Sequence, residues 1–241
     1  MDYLDYIAKQ LSSMFPPPYT PGFRKDVTNT DYRYLTDIES NNDLDLLRAV
    51  SKEAEERFSY LASRVKQISR TGTKPDPLHV MKYPIYLYLL SRVLFERQYD
   101  DPTRLKDRLY SLNKAVCGCS IYYKISMPKV FFLTYAIGVV LGDCVYGENL
   151  VVYQGCTIGG YRDKTPVLGN NVILMPNCVV SGSSQIGNNV VISAGVACVN
   201  SVIPDNHVVF STNRFNSPLY SRPITENEYI DYFIEKSATD L

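Results

Sequence analysis

Two rhythms of apolar side chains divide this chain. From Leu47 to Ile68 they recur every three or four residues, at Leu47, Val50, Ala54, Phe58, Leu61, Val65 and Ile68. That spacing gathers them on one face of a helix. The polar run Asn41-Asn42-Asp43 in front of it offers capping side chains. A second helix is expected from about Pro84, a residue suited to a first turn, and a third from Asp101-Pro102, where Asp can cap and Pro can open the helix. Pro16-Pro17-Pro18 and Pro21-Gly22 read as a linker or turn that sets a short N-terminal segment apart.

From Val140 the helical spacing gives way to a period of six. Leu168, Leu174, Val180, Ile186, Ile192 and Cys198 form one column, and Val172, Cys178, Ser184, Val190, Val196 and Val202 a second. Ser184 alone is not apolar. Upstream, Val140, Tyr146, Val152 and Ile158 continue the first column, and Cys144, Leu150 and Cys156 the second, with four extra residues between Ile158 and Leu168. Leu168-Gly169-Asn170-Asn171-Val172 returns eighteen residues later as Ile186-Gly187-Asn188-Asn189-Val190. Three hexads therefore make one coil of a triangular solenoid, with like side chains stacked inside. Gly and Asn fall at the corners because both tolerate a left-handed backbone.

The chain accordingly divides into an α-helical N-terminal domain over 1–125, a parallel β-helix over 126–211, and a tail with a short helix over 212–241. At 241 residues, with 45% hydrophobic and 21% charged, it has the makings of an ordinary globular core. Its 25 basic residues balance 25 acidic ones, so no excess positive field recruits nucleic acid or an anionic membrane. The longest apolar stretch, Pro84 to Phe95, is broken by Ser91 and Arg92 and is too short to span a bilayer. Asp2 and Asp5 stand where a secretory signal needs a basic start, so a cytoplasmic location is expected. Six cysteines without a CxxC, and only two histidines, argue for reduced thiols and no metal. Cys144, Cys156, Cys178 and Cys198 fall in the inward columns, where a small apolar side chain packs well; a reactive or metal-binding role is the alternative.

Three motifs narrow the reading. They are Gly138-Val139-Val140-Leu141-Gly142, Tyr153-Gln154-Gly155-Cys156-Thr157-Ile158-Gly159-Gly160 followed by the inserted loop, and Ile192-Ser193-Ala194-Gly195. Through them Met127 to Phe210 resembles the hexapeptide-repeat acyltransferases, in particular the serine acetyltransferases and their relatives in bacterial surface-polysaccharide pathways. The helical third of the chain matches more loosely. The resemblance implies a left-handed parallel β-helix, a homotrimer or dimer of trimers, and acetyl-CoA as co-substrate in a groove between neighbouring coils. The acceptor would be a hydroxyl of a small metabolite or sugar. Gly159, Gly160, Arg162, Lys164, Ser193, Ala194 and Gly195 are the residues implied for the cofactor. Glycines let a pantetheine chain approach the backbone, and the two cations can meet phosphate. Solvated loop charges and a plain small-residue corner are the alternatives.

Acyl transfer to a hydroxyl needs a base for the acceptor proton and donors for the oxyanion. The resemblance places the base at the position of Tyr135, a second active-site histidine at Thr165 before Pro166, and an acidic partner at Ser120, so all three depart from the pattern. A phenol ionises near pH ~10 and makes a weak base at neutrality. Tyr135 can still orient a hydroxyl or donate to an oxyanion while a carboxylate such as Asp163 accepts the proton; otherwise it only fills space. His207 reads as a corner residue replacing a turn Asn, with a role at a neighbouring active site as the alternative, and His79 belongs to no constellation. The leading expectation is a CoA-dependent O-acetyltransferase with catalytic candidates Tyr135, Asp163 and His207. Its rival is a catalytically degenerate relative that binds acyl-CoA or a partner subunit without transfer. A purely structural solenoid would have no need of the inserted loop or the double glycine.

Overall fold

The computed structural model describes residues 3–14, 40–101, 104–211, 219–225 and 231–234; the linker expected at 16–22 lies outside them. Helix α1 (Tyr3–Met14) packs on α2 (Ser40–Arg64), which continues through α3 (Lys66–Ser69) to α4 (Tyr83–Glu96) and α5 (Leu105–Leu112). All seven residues of the 47–68 periodicity are buried. The helix is broken at Val65, however, whose backbone is extended and bridges to Phe233. Ser40 begins α2, so Asn41 and Asn42 lie inside the helix rather than before it. Asp43 forms a buried ion pair with Arg108 of α5. The third helix starts at Leu105, and the Asp101 carboxylate accepts the amides of Leu105 at 2.6 Å and Lys106 at 3.1 Å. These are two of the amides that a helix N-terminus leaves without partners.

Beyond α5 the chain winds into three parallel sheets. One holds β1 (Ser120–Ile121), β3 (Val140–Leu141), β5 (Thr157–Gly159), β8 (Val179–Ser181) and β11 (Ala197–Val199). The second holds β2 (Phe131–Leu133), β4 (Leu150–Val152), β7 (Ile173–Leu174), β10 (Val191–Ile192) and β13 (His207–Ser211), and the third β6 (Val167–Leu168), β9 (Gln185–Ile186) and β12 (Val202–Ile203). The third sheet is the shortest: below β6 it continues only as an isolated parallel bridge from Val145 to Val167. The lowest strand, β1, pairs with β3 through Ser120 and Val140, so coiling is under way before residue 126.

Register shows where the period of six holds. Val179 sits under Ala197 and Val167 under Gln185, spacings of eighteen residues, whereas Thr157 sits under Val179 at twenty-two. The four extra residues form a hairpin: the amide of Tyr161 donates to the Lys164 carbonyl at 2.9 Å and the reverse bond is 3.2 Å. Two other coils are one residue short. Val140 pairs with Thr157 and Leu141 with Ile158, so Leu141 is buried and Val140 is turned outward, 42% exposed. Val202 pairs with Gln185 and Ile203 with Ile186, which puts Ile203 in the core and leaves Val202 74% exposed. A shift of one residue reverses every side chain on a strand, and both valines are on the face opposite to the one expected. Cys144 and Tyr146, beside the first short coil, are half-buried rather than enclosed. The remaining members of both columns are buried, Ser184 included. Its hydroxyl donates to the carbonyls of Ser181 and Cys198 and accepts the Ser201 amide, so an inward hydroxyl leaves no polar atom wanting.

The corners are stitched by asparagine. Asn149, Asn171, Asn189 and Asn206 all have φ between 54° and 61°. Each amide nitrogen donates to the next side-chain oxygen at 2.8 to 2.9 Å. The ladder satisfies side chains that the left-handed corner requires to be small and polar. At the top, β14 (Leu219–Pro223) pairs antiparallel with β13 and covers the edge strand. The expected tail helix is not among the described residues of 212–241. Residues 231–234 return to the base instead. The Tyr232 hydroxyl meets that of Tyr153, its ring packs on Phe132, and its carbonyl accepts the Lys66 amide at 2.9 Å.

The two valines test the register directly. Val190→Asp places a charge among buried aliphatics and should lower unfolding free energy by about 3 kcal/mol or more, whereas Val202→Asp should change it by less than about 0.5 kcal/mol. Urea denaturation followed by circular dichroism distinguishes them, and equal losses would contradict the assigned coil length.

Candidate active site

The candidate residues are distributed over three corners of the triangle. The first corner lies between the second sheet and the first and carries Tyr135, Tyr153-Gln154-Gly155 and, higher up, Ser193-Ala194-Gly195. Tyr135 is 60% exposed, and its hydroxyl has no partner among the described residues. Below it, the Gly138 amide donates to the Gly118 carbonyl and the Ser120 amide to the Val139 carbonyl, both at 2.9 Å, so this corner rests on the turn that leads into β1. Ser120 does not stand alone. Its hydroxyl is 2.9 Å from that of Tyr110 on α5, whose ring in turn lies under the Lys114 ammonium at 5.3 Å.

The second corner, between the first sheet and the third, holds Gly159, Gly160 and the hairpin. Arg162 and Asp163 form its tip, Arg162 with φ 57°, and Asp163, Lys164 and Thr165 are exposed. The hairpin closes tightly because residue 160 has no side chain: a Cβ there would lie 2.8 Å from the Lys164 carbonyl oxygen. Under the hairpin is a groove of about 390 Å³ lined by Thr157, Gly159, Gly160 and Tyr161, with Ser181, Gly182, Val199 and Asn200 from the two coils above. Gly182 is also obligatory, at φ 68° with a virtual Cβ 2.4 Å from Asn200 Oδ1. Tyr161 exposes its ring, and the Arg162 guanidinium lies 5.2 Å from the ring centre, a flat cationic platform at the mouth. Tyr161, Ser181, Gly182, Val199 and Asn200 escaped the sequence reading. Counting twenty-two and then eighteen residues up from Gly159 would have reached Ser181 and Val199.

His207 is on neither of these corners. Because its coil is one residue short, Asn206 takes the turn position with φ 59°, and His207 opens β13 at the third corner. Its Nδ1 is 2.7 Å from the Asp205 carbonyl oxygen, a bond that fixes the proton on that nitrogen. The expectation that His207 replaces a turn Asn is therefore corrected. One protomer brings the hairpin glycines together with coils above them, but it does not bring Tyr135, Asp163 and His207 to one place. His79 lies in the helical region, where its Nε2 is 3.3 Å from the Thr71 hydroxyl.

The inward cysteines are packing residues. Burial pushes the Cys144 thiol up to about 12 and that of Cys198 to about 11. Cys156 and Cys178 are free thiols stacked in successive coils and joined by a hydrogen bond. The bond lowers Cys156 and, together with burial, raises Cys178. Among the described residues no group of three or more His, Cys, Asp or Glu side chains is placed to hold a metal ion, and no helix is long and apolar enough to cross a membrane.

Known proteins share both the repeat and the fold. The family description "Bacterial transferase hexapeptide (six repeats)" matches residues 165–199. The chain is 31% identical over 133 residues to a serine acetyltransferase of Synechococcus elongatus, covering 53% of this chain and 54% of that protein. It is 30% identical over 118 residues to one from Staphylococcus aureus, covering 46% and 55%. The chain thus spans about half the length of the curated relatives it matches. In three dimensions it resembles the serine acetyltransferase of Neisseria gonorrhoeae, with a TM-score of 0.59 at 17% identity over 95% of this chain and 83% of that one. It also resembles isoform 3 from Entamoeba histolytica, solved in complex with cysteine, with a TM-score of 0.53 at 20% identity over 93% and 84%. The fold is a left-handed parallel β-helix of hexapeptide repeats with a helical N-terminal region, and the chain resembles the serine acetyltransferases.

The thiols provide a pH test. Native protein treated with iodoacetamide at pH 8 should leave Cys119, Cys156, Cys178 and Cys198 unmodified by intact mass and peptide mapping, and labelling of Cys144 should rise only as pH approaches about 12. Rapid labelling of the buried four at pH 8 would mean that the core is open.

Proposed function

We propose that the chain is a CoA-dependent O-acetyltransferase acting on a hydroxyl of a small metabolite or sugar, as a cytoplasmic homotrimer or dimer of trimers. The observation that carries this reading is the hairpin-roofed groove beside Gly159 and Gly160, in a repeat whose curated relatives are named for acetyl transfer to serine. A pantetheine chain would run past the glycines, Arg162 and Lys164 would meet phosphate, and Tyr161 would offer its ring to the adenine. Ser193, Ala194 and Gly195 crown the other corner of the same sheet and would line the cofactor path from a neighbouring protomer.

Trimer packing is what would complete the chemistry. Outward-facing apolar side chains at Ile137, Val145 and Val167 are 41% to 74% exposed on the solenoid, a pattern that fits burial against copies of the chain. Such packing would set the Tyr135 corner of one protomer against the Asp163 corner of the next. The acceptor hydroxyl would lose its proton to Asp163 as its oxygen attacks the thioester carbonyl, and His207, on the third corner, would take no part. The Tyr135 phenol would donate to the oxyanion, and CoA would leave as the thiol.

Three measurements check this. Isothermal titration should detect acetyl-CoA binding. Release of CoA thiol should depend on an added hydroxyl acceptor, with serine and simple glycosides as the first probes. Tyr135→Phe should lower kcat by about 10- to 1,000-fold with CoA affinity nearly unchanged, since a contact made in the transition state alone is lost. Full activity in Tyr135→Phe would remove Tyr135 from the mechanism, and acetyl-CoA binding without transfer to any acceptor would favour the degenerate reading.

A further inference from the structure

A second cavity lies away from the groove, at the junction of the helices with the base of the solenoid. It has a volume of about 550 Å³, within the range of small-molecule sites. Three walls enclose it: α2, α4 and the segment 126–131 leading into β2. Its floor is made by Leu61, Leu89 and Phe131, all buried and all apolar.

The charges around it are of two kinds. Those of the α4 wall are already satisfied. Glu96 receives Arg57 and Arg92, each at 2.6 Å, and Arg92 also donates to the carbonyls of Tyr123 and Lys124 at 3.0 and 2.9 Å. This wall is a closed ion-pair lattice with no demand for a ligand. The other two walls carry groups with no side-chain partner among the described residues: the Glu56 carboxylate and Tyr60 hydroxyl on α2, and the Ser126 hydroxyl and Lys129 ammonium on the segment facing it. Glu56 and Tyr60 are four residues apart on one helix and so share a face. The cavity thus has an apolar floor, an exposed aromatic ring at one lip, a free anion on one wall and a free cation on another.

From this we infer that the junction cavity is a binding site for a free α-amino acid with an apolar side chain. The side chain would lie on Leu61, Leu89 and Phe131 beside the Tyr60 ring, the ammonium would meet Glu56, and the carboxylate would meet Lys129 and the Ser126 hydroxyl. A simple fatty acid would leave Glu56 facing it unpaired, and an amine would leave Lys129 so; a zwitterion answers both. The occupant would bridge the helices to the solenoid. This inference is independent of the acyl-transfer reading.

Isothermal titration of the full chain with L-phenylalanine and L-leucine tests it. Saturable binding is expected, with 3-phenylpropanoate, which lacks the ammonium, and phenethylamine, which lacks the carboxylate, at least 10-fold weaker. Glu56→Gln and Lys129→Ala should each weaken phenylalanine by 10-fold or more and leave the thermal midpoint of the free protein unchanged, since both side chains are solvent-exposed. Absence of phenylalanine and leucine binding at millimolar concentration would overturn the assignment. So would equal affinity for 3-phenylpropanoate, or undiminished binding in both variants. Acetyl-CoA titrated in parallel reports on the other site alone, so the two readings fail separately.

Discussion

Inside the solenoid each inward side chain must sit over its counterpart one coil below. Strands of two or three residues are too short to be stable alone; they persist because each amide finds a carbonyl in the adjacent coil and each aliphatic group finds another at van der Waals distance. Coil length is therefore bounded tightly. Extra residues have to be expelled as a hairpin, as at Tyr161–Lys164, and a missing one has to be absorbed at a corner, as after Leu141 and before Ile203. The asparagine ladder shows where the tolerance lies. It holds the turn residues in a left-handed backbone that few other side chains accept, and frees the sides for apolar stacking.

The same constraint explains what the sequence could disclose. A period that stacks like on like writes itself into the chain, so the columns through Leu174, Val180 and Ile192, the four-residue insertion and the α2 face from Leu47 to Ile68 were all legible. Val140, Val202 and His207 were misplaced for one reason: a coil of seventeen residues reverses the parity of the strand stacked on it, and valine suits either face of a strand. The tail was harder still. Nothing local in Leu219–Pro223 announces an antiparallel partner, and the break at Val65 comes from Phe233, a residue far away in sequence. Of the groove, the glycines were visible as a motif. Ser181 and Asn200 were not, because they reach it only through stacking.

The candidate chemistry is governed by the same geometry. A triangular prism cannot turn residues of different corners toward one another, so a reaction needing a donor at Tyr135 and an acceptor of protons at Asp163 is not assembled within one protomer. Tyr135, Thr165 and Ser120, the positions for which the resemblance implies ionisable groups, all carry hydroxyls. Ser120 is bonded to Tyr110 from α5, which makes the helical region a neighbour of the Tyr135 corner rather than a separate appendage. The groove and the junction cavity, in turn, draw on different elements and different charges, so occupancy of one leaves the walls of the other intact.

The strap formed by 231–234 bears on how such a chain is made. Its contacts join Val65 and Lys66 to a ring that packs on Phe132 and meets Tyr153, three regions that leave the ribosome at widely separated moments. Helices and coils can form as they emerge, each from neighbours already present. The seam between them stays open until the strap arrives, so the nascent chain carries an unsealed aromatic surface at its centre. Such a seam is exposed to mispairing after the helices and coils on either side of it have folded.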